Sequence, residues 1–174
     1  MAGNHGEKKG GKGLLSHSGQ NLTYTEKARL IDSTRWANQF SFTQLKKLAA
    51  YLDVYKVPAK TVLFYEGDKE PYLVLIAEGA VHVVKFDSAG TARRIATLGP
   101  GRTIGEMGII DGEPRSAAAV TATAATLLVM TSGNFERLNR ELPGMGIQLV
   151  LKIAKIMSQH LRETSGRLIE LMGG

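Results

Sequence analysis

The chain has no cysteine. Disulfides, thiolate zinc sites, iron–sulfur clusters and thiol nucleophiles are therefore excluded. Histidine is scarce too, with four residues: His5, His17, His82 and His160. Two fall near the N-terminus, one in an expected strand and one in an expected helix, so no metal site of the clustered-histidine kind can be assembled from them. No Ser-His-Asp set or carboxylate pair is placed for catalysis, and the chain is not expected to be an enzyme. Long apolar runs are also missing. Tyr72–Ala77 and Ala117–Met130 are short or diluted with Ala and Thr, against the ~20 apolar residues a spanning helix needs. The opening MAGNHGEKKGGKG is basic and Gly-rich without an apolar stretch behind it, so it is not a secretory leader. These absences point to the cytoplasm, with no membrane contact.

What is present is an ordinary globular composition: 174 residues, 43% hydrophobic and 22% charged. The net charge of +6 suits an anionic ligand without demanding nucleic acid. Residues 1–20 read as a disordered basic tail and residues 21–174 as a single domain. Residues 24–40 form an expected helix capped by Thr25. Ser41-Phe42-Thr43-Gln44 is a capping box that opens a second helix to Leu52. From Asp53 the period changes to short β-rich runs, at 54–57, 61–65, 72–76, 80–86, 92–98, 117–121 and 126–130, separated by Gly-rich turns. Gaps this short cannot hold crossover helices, so the strands pair antiparallel as a β-roll or jelly roll. Phe135–Leu142 is a further short helix. Pro143 then suits the first turn of a long one running to Met172, with a late weak point at Ser165-Gly166. The fold class is mainly β with flanking helices: an antiparallel β-roll between N-terminal helices and a long C-terminal helix.

One stretch breaks the β rhythm: Ile104-Gly105-Glu106-Met107-Gly108-Ile109-Ile110-Asp111-Gly112-Glu113-Pro114-Arg115-Ser116-Ala117. Gly105 permits a positive φ or a close backbone approach. Met107–Ile110 can form one helical turn, whose free N–H groups attract an anion. Arg115 carries a planar fork suited to phosphate. Glu106, ionised, only accepts hydrogen bonds and so suits a hydroxyl. A phosphate beside a sugar hydroxyl satisfies all four.

Residues 41–172 resemble the cyclic-nucleotide-binding domain shared by catabolite activator protein and kinase regulatory subunits. The resemblance rests on Gly105–Ile110 with Pro114–Ala117, which is similar to that family's phosphate-binding cassette. It rests also on the approach Leu98-Gly99-Pro100-Gly101, and on the turns Phe64…Glu66-Gly67-Asp68 and Ala77-Glu78-Gly79…Val81. It implies a cyclic nucleotide, cAMP favoured, as ligand rather than a resident cofactor. Glu106 would take the ribose 2′-hydroxyl and Arg115 the cyclic phosphate. The N–H groups of Gly108 and Ser116 and the Ser116 hydroxyl would complete the cradle, flanked by Gly105, Met107 and Ala117. Gly108 stands where the family usually has Ala. Leu161-Arg162-Glu163-Thr164-Ser165 resembles the stretch whose Thr-Ser pair meets adenine, which implicates Thr164 and Ser165. His82 and Trp36 read as ordinary structural residues.

The resulting expectation is a stand-alone cytoplasmic sensor. It would dimerise through the stripe Leu149, Ile153, Ile156, Leu161 and Leu168 and signal to an effector protein by movement of the C-terminal helix. Direct DNA binding is not expected, because the chain stops just past that helix. The alternatives are a piece of a larger transcription regulator or regulatory subunit, or a degenerate module that has lost its ligand.

Overall fold

The computed structural model describes residues 13–172. Its helices are α1 (Tyr24–Asp32), α2 (Phe42–Leu48), α3 (Glu106–Asp111), α4 (Ser132–Glu141) and α5 (Pro143–Met172). Its strands are β1 (Asp53–Val57), β2 (Val62–Phe64), β3 (Tyr72–Glu78), β4 (Val81–Phe86), β5 (Ala92–Leu98), β6 (Thr103–Ile104), β7 (Ala118–Thr121) and β8 (Ala125–Thr131). They form two antiparallel sheets, ordered β1-β8-β3-β6 and β2-β7-β4-β5. This is the expected β-roll, with the two-residue β6 added immediately before the cassette.

The first sheet is buried on both faces. Along β3, Tyr72, Val74 and Ile76 enter the interior of the roll with Val57, Leu63, Phe64, Ile104 and Val129. The alternate residues Leu73, Leu75 and Ala77 meet the helices through Ile31, Trp36, Leu45, Leu138, Leu149 and Ile153. Two-sided burial explains why β3 and β8 read as continuous apolar runs rather than alternating ones. The second sheet ends at β5, an edge strand that is largely exposed.

Helix ends follow local chemistry, with corrections to the expected boundaries. Thr23, rather than Thr25, caps α1, in a reciprocal box with Glu26. That helix stops at Asp32, because Ser33 and Thr34 turn their hydroxyls back onto Leu30 and Ile31 carbonyls. Trp36 then enters the core on a separate 3-10 turn, stacked on Phe40 at 5.6 Å. The Ser41 box closes as expected, with the Ser41 hydroxyl accepting from the Gln44 N–H and the Gln44 amide oxygen from the Ser41 N–H. Of the expected tail, residues 1–12 lie outside the described residues. Residues 13–20 are not a tail: Leu14 is fully buried in the roll on a 3-10 turn, and Gln20 bridges to Val54.

Leu142 breaks α4 from α5 with a non-helical backbone. The two helices cross closely at Gly146, where a Cβ would collide with the Asn139 side chain. Helix α5 continues through Ser165-Gly166 without interruption. Its 30 residues extend ~45 Å, and the two halves differ. Met145, Leu149 and Ile153 are buried in the core, with Ile156 packed against it. Residues 161–170 are exposed throughout. The expected dimer stripe is thus two surfaces: Leu149 and Ile153 are covered within the chain, while Leu161 and Leu168 are 68% and 56% exposed.

Candidate functional site

Strand β6 delivers the chain to Gly105, whose φ of +80° is the left-handed conformation that only glycine adopts at little cost. A side chain there would also strike the Arg115 guanidinium and the Tyr72 carbonyl. Helix α3 follows at once and ends at Gly112, again left-handed. The segment then returns through Glu113-Pro114-Arg115-Ser116 to β7. Its return is pinned to the Glu66-Gly67-Asp68 turn: the Arg115 N–H donates to the Asp68 carbonyl at 2.9 Å, and the Gly67 N–H donates to the Arg115 carbonyl at 2.8 Å. Two turns noted separately in the sequence are one unit in space.

Gly105, Glu106, Met107, Gly108, Arg115, Ser116 and Ala117 belong to this one closed segment. Arg115 is 5% exposed. Its guanidinium lies 4.1 Å from the Phe64 ring centre and 4.4 Å from that of Tyr72. Nη1 donates to the Gly105 carbonyl at 3.2 Å and Nη2 to the Tyr72 carbonyl at 2.9 Å. Nε has no partner. Burial lowers the Arg115 pKa from its ordinary value, opposed by the nearby Tyr72, Asp68 and Glu70; burial also raises the Tyr72 hydroxyl strongly. The arginine therefore has a structural task that the sequence did not suggest: it bridges the start of the cassette to β3. Each terminal nitrogen retains a second N–H, and the Nε–H is buried without a partner, so the guanidinium has donor capacity that the fold itself does not use.

Glu106, at the first residue of α3, is 6% exposed. Burial raises its pKa, against the lowering fields of Arg102 and Arg115. Its Oε1 lies 3.7 Å from Nδ1 of His160 on α5, and His160 Nε2 lies 3.1 Å from a terminal nitrogen of Arg102. His160 and Arg102 were not among the expected site residues. Ser116 is exposed; its hydroxyl is 4.0 Å from the Met107 sulfur, and its carbonyl accepts from Lys85 at 2.8 Å. Gly108 is packed, and a Cβ there would sit 3.2 Å from the Glu113 carbonyl, so the family's usual Ala would need only a small adjustment. Thr164 and Ser165 are not gathered with the cassette: both lie on the exposed stretch of α5, about one turn beyond His160.

His82 shares a contact of 2.9 Å with the Thr97 hydroxyl across β4 and β5. Among the described residues, no group of three or more His, Asp or Glu is placed to hold a metal. No helix among them is long and apolar enough to cross a membrane. Two open grooves, one along Lys56, Pro58 and Glu78 and the other along Glu26, Arg29 and Lys56, contain no cassette residue. Both mix acidic and basic side chains. Among the described residues, only the cassette pairs a buried arginine and a buried carboxylate with glycine-permitted backbone turns, so it is the better-built ligand site.

Comparisons with known proteins identify the family of this domain. Residues 54–141 match the family model described as "Cyclic nucleotide-binding domain". The cyclic AMP receptor protein of Thermus thermophilus is 35% identical over 106 residues, covering 61% of this chain and 47% of that protein. The cAMP-activated global transcriptional regulator CRP of Salmonella typhimurium is 26% identical, over 71% of this chain and 58% of its own length. This chain thus spans about half the length of these relatives. A crystal structure of a cyclic nucleotide-binding domain from Methylobacillus flagellatus superposes with a TM-score of 0.74 at 28% identity, covering 84% of this chain and 83% of that one. The catabolite activator protein of Thermus thermophilus gives 0.69 at 28%, covering 79% and 62%. By its sequence, its β-roll and its cassette, the chain belongs to the cyclic nucleotide-binding domain family.

Proposed function

We propose that this domain senses a cyclic nucleotide, cAMP in preference to cGMP, without catalysing a reaction on it. The observation that carries this is the pairing of two buried, oppositely charged groups on one closed loop: Arg115, with an unpartnered Nε–H, and Glu106 at the start of α3. A carboxylate accepts from a ribose hydroxyl and a guanidinium donates to a cyclic phosphate. The preference for cAMP rests on relatives that are named for it. Gly108, Ser116 and the N-terminus of α3 supply the remaining donors to the phosphate, with Gly105, Met107 and Ala117 shaping the loop. Thr164 and Ser165 take part only when the outer half of α5 is brought to a cassette, by helix movement or by a second copy. The exposed Leu161 and Leu168 favour a helix-paired homodimer. Output to an effector protein, in the cytoplasm, would pass through α5.

The test is a double cycle of protein and ligand. Glu106→Gln should weaken binding of cAMP by ~1–2 kcal/mol and leave binding of 2′-deoxy-cAMP nearly unchanged. Equal losses for the two ligands would remove Glu106 from the ribose.

A further inference from the structure

His160 joins three elements that are distant in sequence. It sits on α5, between Glu106 on α3 and Arg102 in the segment before β6. Arg102 is itself held by its backbone: its N–H donates to the Gly99 carbonyl at 3.2 Å, and its carbonyl accepts from the Ile76 N–H at 3.0 Å. A guanidinium can only donate hydrogen bonds. The 3.1 Å contact between Arg102 and His160 Nε2 therefore requires Nε2 to accept, which places the imidazole proton on Nδ1. Nδ1 is the nitrogen that faces Glu106, at 3.7 Å. That distance is too long for a hydrogen bond, yet it puts an N–H dipole against the buried carboxylate. Arg102, His160 and Glu106 thus form an ordered relay of donor, neutral imidazole and acceptor.

We propose that His160 is a built-in, pH-dependent competitor for Glu106: its Nδ1–H covers the carboxylate edge that a ribose hydroxyl needs, and an incoming nucleotide must displace it. The proposal rests on the function assigned to Glu106 above and adds its regulation. The groups facing the imidazole are Arg102 across it, Glu106 on α3 with Arg115 beyond, and Glu163 on the next turn of α5. Burial and Arg102 lower the His160 pKa from its ordinary 6.5, while Glu163 opposes them. Docking therefore favours the neutral ring, and undocking, which removes the burial and the Arg102 contact, favours its protonation. As pH falls through 6.5 the undocked form takes up the proton first, the Nε2 acceptor is lost to Arg102, and the hold on Glu106 weakens. Nucleotide affinity should accordingly rise as the solution is taken from pH 7.5 to 6, before protonation of Glu106 opposes it.

Two measurements on the full chain separate the relay from the ligand. In protein without added nucleotide, imidazole ¹⁵N shifts should show the Nδ1–H tautomer for His160 and a pKa below that of a free histidine. Arg102→Gln should move this pKa upward. An Nε2–H tautomer, or a pKa indifferent to Arg102→Gln, would overturn the relay. In calorimetric titrations with cAMP, His160→Ala should bind about 2- to 10-fold more tightly than the parent at pH 7.5, the size of a weak dipole–carboxylate contact that the ligand no longer has to displace. Its affinity should also be flat between pH 7.5 and 6. His160→Gln, a neutral donor that does not titrate, should be flat as well but nearer the parent in affinity. Weaker binding by His160→Ala, or a parental pH profile in either variant, would overturn the competition. If parent and variants bind neither cAMP nor cGMP while the shifts show the relay, the relay stands and the sensor function falls.

Discussion

Arg115 offers the sharpest perturbation, because it carries two separable roles. Arg115→Ala removes two charge-assisted donors from the buried carbonyls of Gly105 and Tyr72, and a cation packed in the corner of two edge-to-face aromatic rings. A hydrogen bond to a charged group contributes about 1.5–3 kcal/mol, and a desolvated cation–π contact about 2 kcal/mol. Relief of a buried charge opposes both; the lowered Arg115 pKa is a sign of that desolvation. A net loss of ~2–4 kcal/mol follows, or a fall in Tm of about 4–16 °C for a domain of this size. Arg115→Lys should lose about half as much, since a point charge reaches one carbonyl and cannot stack flat. The assay is urea or thermal denaturation without nucleotide, set beside calorimetric binding of cAMP. Both variants should bind more weakly, Arg115→Ala by about 2–4 kcal/mol. The lysine variant, still folded, shows that the loss is not merely unfolding. A denaturation midpoint equal to the parent's would refute the structural role. Parental affinity in the folded lysine variant would refute the phosphate role.

Further outcomes follow from the same geometry. Gly105→Ala should cost at least ~1–3 kcal/mol in denaturant melts, from a forced positive φ and a collision with Arg115 and Tyr72. Gly108→Ala should stay within about 1 kcal/mol of the parent, because a helix-propensity gain of that size offsets the small shift asked of the Glu113 carbonyl. Glu106→Gln should raise thermal stability at pH 7. A carboxyl whose folded pKa is raised by burial destabilises the fold when ionised, so the advantage should shrink as pH falls through the raised pKa and vanish below 4.5, as melts across pH would show. Leu168→Asp should convert a dimer to monomer by light scattering and keep the parental melting behaviour of the roll. Ile153→Asp is expected to unfold the domain instead, because Ile153 lies in its own core.

The parts of the molecule that were legible in sequence are those governed by neighbours along the chain. The Ser41 capping box, the left-handed Gly105 before α3 and the turn-separated β-runs each depend on a few consecutive residues. The Thr23–Glu26 box was equally local, but the competing Thr25 stood inside the same helix start. What could not be read depends on contacts across the fold. Leu14 is buried by β2 and the roll, although the Leu14-Leu15 pair stands alone among Gly, Lys and Ser. The Phe64–Arg115–Tyr72 cluster joins three strands or turns. His160 acquires a role only because α5 passes over the cassette at that turn, which places it there and leaves Thr164 and Ser165 exposed. The split of the α5 stripe into a covered and an open half was hidden for the same reason: heptad spacing is indifferent to which residues the roll reaches.

Calorimetric titration of the unmodified protein with cAMP, with cGMP and with 5′-AMP puts the assignment of the cassette at risk in one experiment. A cyclic phosphate held by Arg115 and the α3 N–H groups, with Glu106 on the ribose, should give saturable binding of one cAMP per chain, weaker binding of cGMP, and weaker still of the open monophosphate. No measurable heat with either cyclic nucleotide, or 5′-AMP bound as tightly as cAMP, would contradict it.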